Sequence, residues 1–377
     1  MSDFFDEMTI ASDIKATIVE KYFFAWSRIM KAVGRVEKIG YIDLFCGPGR
    51  YEDGRESTPL KILRQCLCDN VLCQKTRVYF NDANKEYADR LQAEIDGLEG
   101  IERMASKPIV GNNEVNEDFT QAVAAKHLIP CLSFIDPWGY KGLSLKLINS
   151  LAASWGSDVV FFFNYNRVNT AIRNPKVEDH INALFGKKNA DMMRGKVGNL
   201  SPKEREDLVL KQLASVIKSG GPANFVLPFR FVSRDKNKTS HYIVFLTKDK
   251  TGHKIMKEIM WKASSSSDDG VANYSYVPDV YLPTEPMYFD LFEDAKPLDQ
   301  LGDELLLRYA GNALTVGQIY DMHNPGSPYV LSNYKVALRR LEQQGRIKAR
   351  PPAEVRPMRK GVITLANDTV ITFPRIR

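Results

Sequence analysis

Two short stretches of this 377-residue chain hold the residue types that chemistry needs at spacings that would bring them together. The first is IDLFCGPGR, Ile42 to Arg50, which reads as a buried strand ending in an acid and followed by a glycine turn. Parallel α/β sheets bind ligands at the carboxyl ends of their strands, and a turn there must let backbone approach where side chains would block it. Gly47 and Gly49 supply that approach, Phe45 lies in the same turn, and Asp43 is a carboxylate for an amine or hydroxyl. The spacing Asp-x-x-x-Gly-x-Gly lacks the third glycine of a pyrophosphate fingerprint, which turns the expected cofactor from NAD toward S-adenosylmethionine. An ordinary strand-to-helix turn is the alternative.

The second stretch is FIDPWGY, Phe134 to Tyr140. Proline after an aspartate stops a strand and frees backbone carbonyls, so Asp136 and the Pro137 carbonyl could both accept hydrogen bonds from a substrate amine. Trp138 or Tyr140 could stack on a planar base, with Gly139 between them. A nitrogen held this way is desolvated and its lone pair can be aimed at a methyl sulfonium. The alternative is an Asp-Pro turn beside a core tryptophan.

Between these stretches, Asp82 ends a second strand where a carboxylate commonly meets ribose hydroxyls, and Asn84 is close enough to assist. Both residue types also favour helix N-caps. Asp118, before Phe119, is an acceptor for an exocyclic adenine amino group or a cap for the next helix. The five histidines are scattered singly, and Cys46 reads as packing. Cys66, Cys68 and Cys73 lack a second cluster to close a tetrahedral metal site, so no metal is expected.

The elements that must position these residues alternate. A helix with Ile14, Ile18, Tyr22, Trp26 and Ile29 on one stripe leads into the first strand. Strands follow at Arg77 to Asp82, Pro108 to Val110, Cys131 to Asp136 and Asp158 to Asn166, with helices at Thr58 to Cys68, Tyr87 to Ile95, Phe119 to Lys126 and Leu143 to Ala152. That order predicts a doubly wound Rossmann sheet. Residues 167–221 show no strand-like run and read as a helical insertion over the carboxyl edge. Ala223 to Val232 and His241 to Lys248 then form an antiparallel edge pair, followed by a helix at Lys254 to Trp261 and a solvated loop at Ser264 to Gly270.

Pro278 to Pro297 reads as a linker. Beyond it, helices at Gln300 to Tyr309, Val316 to Met322 and Ser332 to Gln343, then a ribbon from Gly345 to Arg350 and Gly361 to Pro374, give the order of a winged helix. The expected organisation is a helical segment at 1–35, a methyltransferase-like Rossmann domain at 36–285 and a winged helix at 298–377. No apolar run is long enough for a bilayer, and the acidic start does not suit a signal peptide, so a soluble cytoplasmic protein is expected. Charge is uneven: residues 335–377 hold eleven Lys and Arg against three Asp and Glu, net +8, while the rest of the chain is net −2. A basic module on a nearly neutral body points to nucleic acid, with Arg339, Arg340, Arg346, Lys348, Arg350, Arg359 and Lys360 as its contacts. An acidic protein surface would satisfy the same charge.

These blocks resemble the three-Cys-motif partner protein family, TcmP, over roughly the first three-quarters of the chain. The carriers are IDLFCGPGRYEDG with its following Ser-Thr-Pro-Leu, FND, IDPWGYKGL and HYIVFLTKDKTGHKIMKEIMW. The resemblance implies a class I methyltransferase-like Rossmann fold, S-adenosylmethionine, and a three-cysteine partner protein with radical S-adenosylmethionine features. IDPWG is also similar to the Asp-Pro-Phe-Gly of tRNA guanine-N2 dimethyltransferases, with Trp138 in the phenylalanine position. It departs from the Asp-Pro-Pro-Tyr of amino methyltransferases. The expected activity is methyl transfer to an amino group of an RNA or DNA base, and its rival is a non-catalytic nucleic-acid-binding partner protein.

Overall fold

The computed structural model describes residues 2–126, 129–137, 139–233, 238–265, 267–268, 271–276, 298–359 and 361–375. Trp138, Lys360 and most of the expected linker lie outside the described residues. The chain divides into two compact units, one formed by 1–263 with 276–280 and one by 264–275 with 281–377.

The first unit opens with α1 (Ser2–Ala32), then β1 (Ile39–Asp43), α2 (Thr58–Leu67), α3 (Asn70–Lys75), β2 (Thr76–Asn81), α4 (Lys85–Asp96) and β3 (Ile109–Gly111). It continues through α5 (Glu117–Ala124), β4 (Cys131–Ile135), α6 (Leu145–Ala152) and β5 (Asp158–Phe163). Four helices follow, α7 (Tyr165–Ala171), α8 (Glu178–Phe185), α9 (Lys187–Lys196) and α10 (Pro202–Gly220), then β6 (Phe225–Val232), β7 (Thr239–Thr247) and α11 (Lys250–Ala263). The main strands order as β6-β7-β5-β4-β1-β2-β3. β1 pairs in parallel with β2 and β4, β2 with β3 and β4 with β5, while β7 runs antiparallel to β5 and β6. The chain order therefore reverses between β1 and β4, which makes their carboxyl ends the switch point where such sheets take ligands.

Burial explains the strand choice. Every residue of β4 and β5 is buried, as strands covered by helices on both faces require. Pro228 stands in β6, outside β7, where a missing N–H costs least. Three details differ from the sequence expectation. Asn164 to Asn166 do not extend β5, because the Asn164 side chain accepts from Arg167 N and starts α7. On α1, Ile29 is exposed and the buried line runs instead through Lys15, Val19, Tyr22, Trp26 and Met30. The insertion holds α9 as well as the expected helices.

The second unit contains a two-residue ladder, β8 (Ser267–Asp268) with β9 (Val271–Ala272), and α12 (Leu298–Arg308), β11 (Ala313–Thr315), α13 (Val316–His323), α14 (Leu331–Gln343) and β12 (Lys348–Arg350). The short strand β10 (Ser275–Tyr276) adds beside β6 in the first sheet. After β12 come β13 (Met358–Arg359), β14 (Val362–Ile363) and β15 (Val370–Thr372). Its core gathers Leu301, Leu305, Val316, Ile319, Leu338 and Ile371, together with Val271 from the stretch after the serine run. The ribbon splits: β15 pairs with β11 and β12, and β13 pairs with β14 as a separate hairpin. Three helices, a three-stranded sheet and a protruding hairpin make a winged helix.

Candidate active site

The glycine turn leaves β1 over the end of β2. Gly47 has φ +66° and a Cβ built there meets no atom within 4 Å, so the turn faces open space. Gly49 has φ +88° for a different reason: a Cβ there would lie 2.9 Å from Leu91 Cδ1 on α4. Both residues occupy the left-handed region that favours glycine. The Phe45 ring lies against Gly142, whose Cβ would come within 2.9 Å of Phe45 Cζ.

Asp82 pins this turn. Its Oδ2 accepts from Gly47 N at 3.0 Å and its Oδ1 from Asn84 N at 2.8 Å. Each oxygen keeps a lone pair for a further donor. Asn84 is the N-cap of α4, its side chain accepting from Glu86 N at 2.9 Å. Beneath them, buried Asn81 bonds to Leu44 O and Asn113 O and joins the loops after β1 and β3.

Asp43 is 1 % exposed, and its Oδ1 accepts from Phe45 N at 3.2 Å. Burial raises its carboxyl well above the ordinary range; the Phe45 N–H and Lys15 oppose the rise, while Asp136 and Asp82 add to it. Three carboxylates thus converge at the ends of β1, β2 and β4, with one ammonium among them. That is Lys15 of α1, whose Nζ lies 2.7 Å from Asp136 Oδ2 and 4.4 Å from the centroid of Phe162. Sequence reasoning missed Lys15. Its signal was a lysine on the buried line of an amphipathic helix, a position that favours a paired charge.

The Asp-Pro turn is partly self-satisfied. The Pro137 carbonyl accepts from Gly139 N at 2.8 Å and retains one lone pair. The Arg167 side chain of α7 runs beside Gly139, and Tyr140 stacks obliquely on His180 of α8 at 5.6 Å, so the helical insertion adjoins this turn. Tyr51 lies on the near side; burial raises its phenol strongly, Asp136 and Asp43 raise it further, and a hydrogen bond with Ser12 opposes this. Asp118 is exposed in the first turn of α5, and the cap of that helix is Asn116, which accepts from Phe119 N at 3.0 Å. Asp118 is apart from the acid cluster in these contacts.

In the second unit the basic residues fall into two sets. Arg340 pairs with Asp299 at 3.1 Å and Arg346 with Asp303 at 2.8 Å, both against α12. Arg339 donates to Lys335 O and, across to the hairpin, to Ile363 O. Lys348, Arg350 and Arg359 are exposed on β12 and β13.

Residues 281–354 match the family model of the GMT-like wHTH domain. The match begins inside the stretch read as a linker. Among solved structures the chain is similar to a protein from Legionella pneumophila, at 11 % identity over 64 % of this chain and 88 % of that one, with a TM-score of 0.37. It is similar to the plantazolicin methyltransferase BamL in complex with a substrate analogue and SAH, at 14 % identity over 66 % and 90 % of the two chains, TM-score 0.34. A putative S-adenosyl-L-methionine-dependent methyltransferase from Methanococcus maripaludis gives 12 % identity over 65 % and 91 %, TM-score 0.31. No curated protein matches the chain. With scores this low, the fold rests on the strand order itself.

Proposed function

We propose that the protein is an S-adenosylmethionine-dependent methyltransferase that modifies an amino group of a nucleic-acid base. The observation that carries this is the Asp82–Gly47 contact: a carboxylate with free lone pairs holds a turn whose Cα faces open space at the sheet's switch point. The residues fit a cationic cofactor, since three carboxylates face one lysine there. S-adenosylmethionine, when bound, supplies an electrophilic methyl group on a sulfonium.

Each of the chain's own residues then has a role. Asp82 accepts from ribose hydroxyls, with Asn84 fixing its orientation. Gly47 and Gly49 keep the turn open, and Phe45 offers an apolar wall. Asp43, being buried, acts through its field on the cation rather than by direct contact. Asp118 is the acceptor assigned to the adenine amino group. Asp136 and the Pro137 carbonyl accept from the substrate amine, and Trp138 and Gly139 complete that assignment. Lys15 holds Asp136 until a substrate amine takes its place.

The second unit supplies affinity for nucleic acid. The exposed set Lys348, Arg350 and Arg359, with Lys360 and Arg339, suits phosphate contact, whereas Arg340 and Arg346 are neutralised by α12. The three-cysteine partner rests on the resemblance alone. The test is calorimetric titration of S-adenosylhomocysteine followed by transfer of labelled methyl to bulk tRNA, rRNA and DNA. Cofactor binding with label in one pool supports the proposal; cofactor binding with no label in any pool removes the substrate assignment.

A further inference from the structure

β7 begins at the carboxyl end of β5, where Phe163 lies opposite Tyr242 and Phe162 opposite Ile243. His241 therefore stands one residue beyond the end of β5, at the sheet edge that carries Asp136. Its ring is stacked on Phe231 at 4.5 Å and 14°, and lies 4.6 Å from Phe162. The other neighbour of Phe162 is the Lys15 ammonium that binds Asp136. Asp136, Lys15, Phe162 and His241 thus form one continuous group.

Proton counting fixes the histidine tautomer. The Ser240 hydroxyl has one hydrogen, and it donates to Phe231 O at 3.2 Å. Toward His241 Nδ1, at 2.7 Å, Ser240 Oγ is then the acceptor, so Nδ1 carries the hydrogen of the neutral ring. Nε2 is left with its lone pair. That atom is sealed from solvent and has no hydrogen-bond partner among the described residues. A buried polar atom without a partner is a cost that folding does not recover, and it marks a position kept for something else.

Resting on the methyltransferase reading, we infer that His241 Nε2 is the proton acceptor for the substrate nucleophile held at Asp136. The acceptor nitrogen gains a methyl group from a sulfonium donor whose C–S pair leaves with sulfur. It sheds its N–H proton to Nε2, and the ring becomes an imidazolium that solvent later deprotonates. Burial and the Lys15 charge hold the free imidazole well below its ordinary value, so it is neutral and ready to accept at physiological pH. Lys15 and, through it, Asp136 are the charged groups beside the ring. Glu206 of α10 and Arg230 of β6 are bound up with Thr239 and Tyr242 in the same strand.

The experiment uses the full chain. Imidazole nitrogen shifts are read on protein labelled with 15N-histidine, while S-adenosylhomocysteine affinity and labelled-methyl transfer to bulk tRNA, rRNA and DNA are compared between wild type and His241→Gln. The proposal expects an unprotonated Nε2 and a protonated Nδ1 near neutral pH. It also expects nearly unchanged S-adenosylhomocysteine affinity in the variant, with turnover lower by about 100-fold or more. A proton on Nε2 in wild type, or variant turnover within about threefold of wild type, overturns it and leaves the methyltransferase reading standing. Failure of the wild type to bind S-adenosylhomocysteine overturns both. The tautomer is read on wild type, so a variant that does not fold still leaves a decisive measurement.

Discussion

Lys15→Met isolates the electrostatics of the acid cluster. The Lys15–Asp136 contact is 2.7 Å, with the two side chains 11 % and 23 % exposed. At an effective dielectric near 20 the gross attraction at that distance is about 6 kcal/mol, most of it offset by desolvation. Removing one partner costs about 3–5 kcal/mol for a fully buried pair and under about 1 kcal/mol for an exposed one. This pair stands between, so Lys15→Met should lose about 2 kcal/mol near neutral pH. The loss should also depend on pH. Asp43 already titrates above its ordinary range in the folded protein, and Lys15 is the cation opposing that rise. A raised folded carboxyl means that the folded state holds its proton more tightly than the unfolded chain. Stability therefore falls as pH climbs from the unfolded value through the folded one, and the fall steepens without Lys15. Urea unfolding at about pH 4.5, 6 and 8 should give a deficit that grows with pH. A deficit equal at all three values, or below about 0.5 kcal/mol throughout, would refute the cluster argument.

Other predictions follow from single contacts. Asp158, bonded to Tyr22 and pushed up to about 6 by burial, destabilises the fold increasingly as pH rises from about 4 to 6. Asp158→Asn should flatten that part of the stability–pH curve, and an unchanged slope would count against it. Gly49→Ala must both adopt φ +88° and push Leu91 aside, so its urea midpoint should fall further than that of Gly47→Ala, which meets only the left-handed strain of about 1–2 kcal/mol. Equal losses would contradict the different reasons assigned to the two glycines. For nucleic acid, replacing Lys348, Arg350 and Arg359 together by Ala should reduce the salt slope of binding by up to about three units. Replacing Arg340 and Arg346 should barely change it, and the reverse pattern would reassign the interface.

The strands were legible because parallel strands buried on both faces need unbroken apolar runs, and CLSFI and DVVFFF supply them. Helix α3 was not, since NVLCQK is too short for a periodic signal and is held by the Asp69 side chain accepting from Val71 N and Leu72 N. In the site, Asp43, Gly47, Asp82 and Asp136 stand at strand ends, where a local reading of sequence reaches. Lys15 and His241 do not announce themselves locally. Lys15 matters through an ion pair to a residue 121 positions away, and His241 through a hydrogen-bond count involving Phe231. Charge counting found the basic module but not which cations were already neutralised, because Arg340 and Arg346 meet acids on another helix.

The central claim is that the open turn at Gly47, pinned by Asp82, is a cofactor site. Calorimetric titration of S-adenosylhomocysteine into the wild type and into Gly47→Val tests it most directly, with circular dichroism confirming that the variant is folded. The account predicts a saturating, one-to-one isotherm for the wild type and no detectable heat for the variant. No binding to the wild type, or the same affinity in a folded Gly47→Val protein, would contradict it.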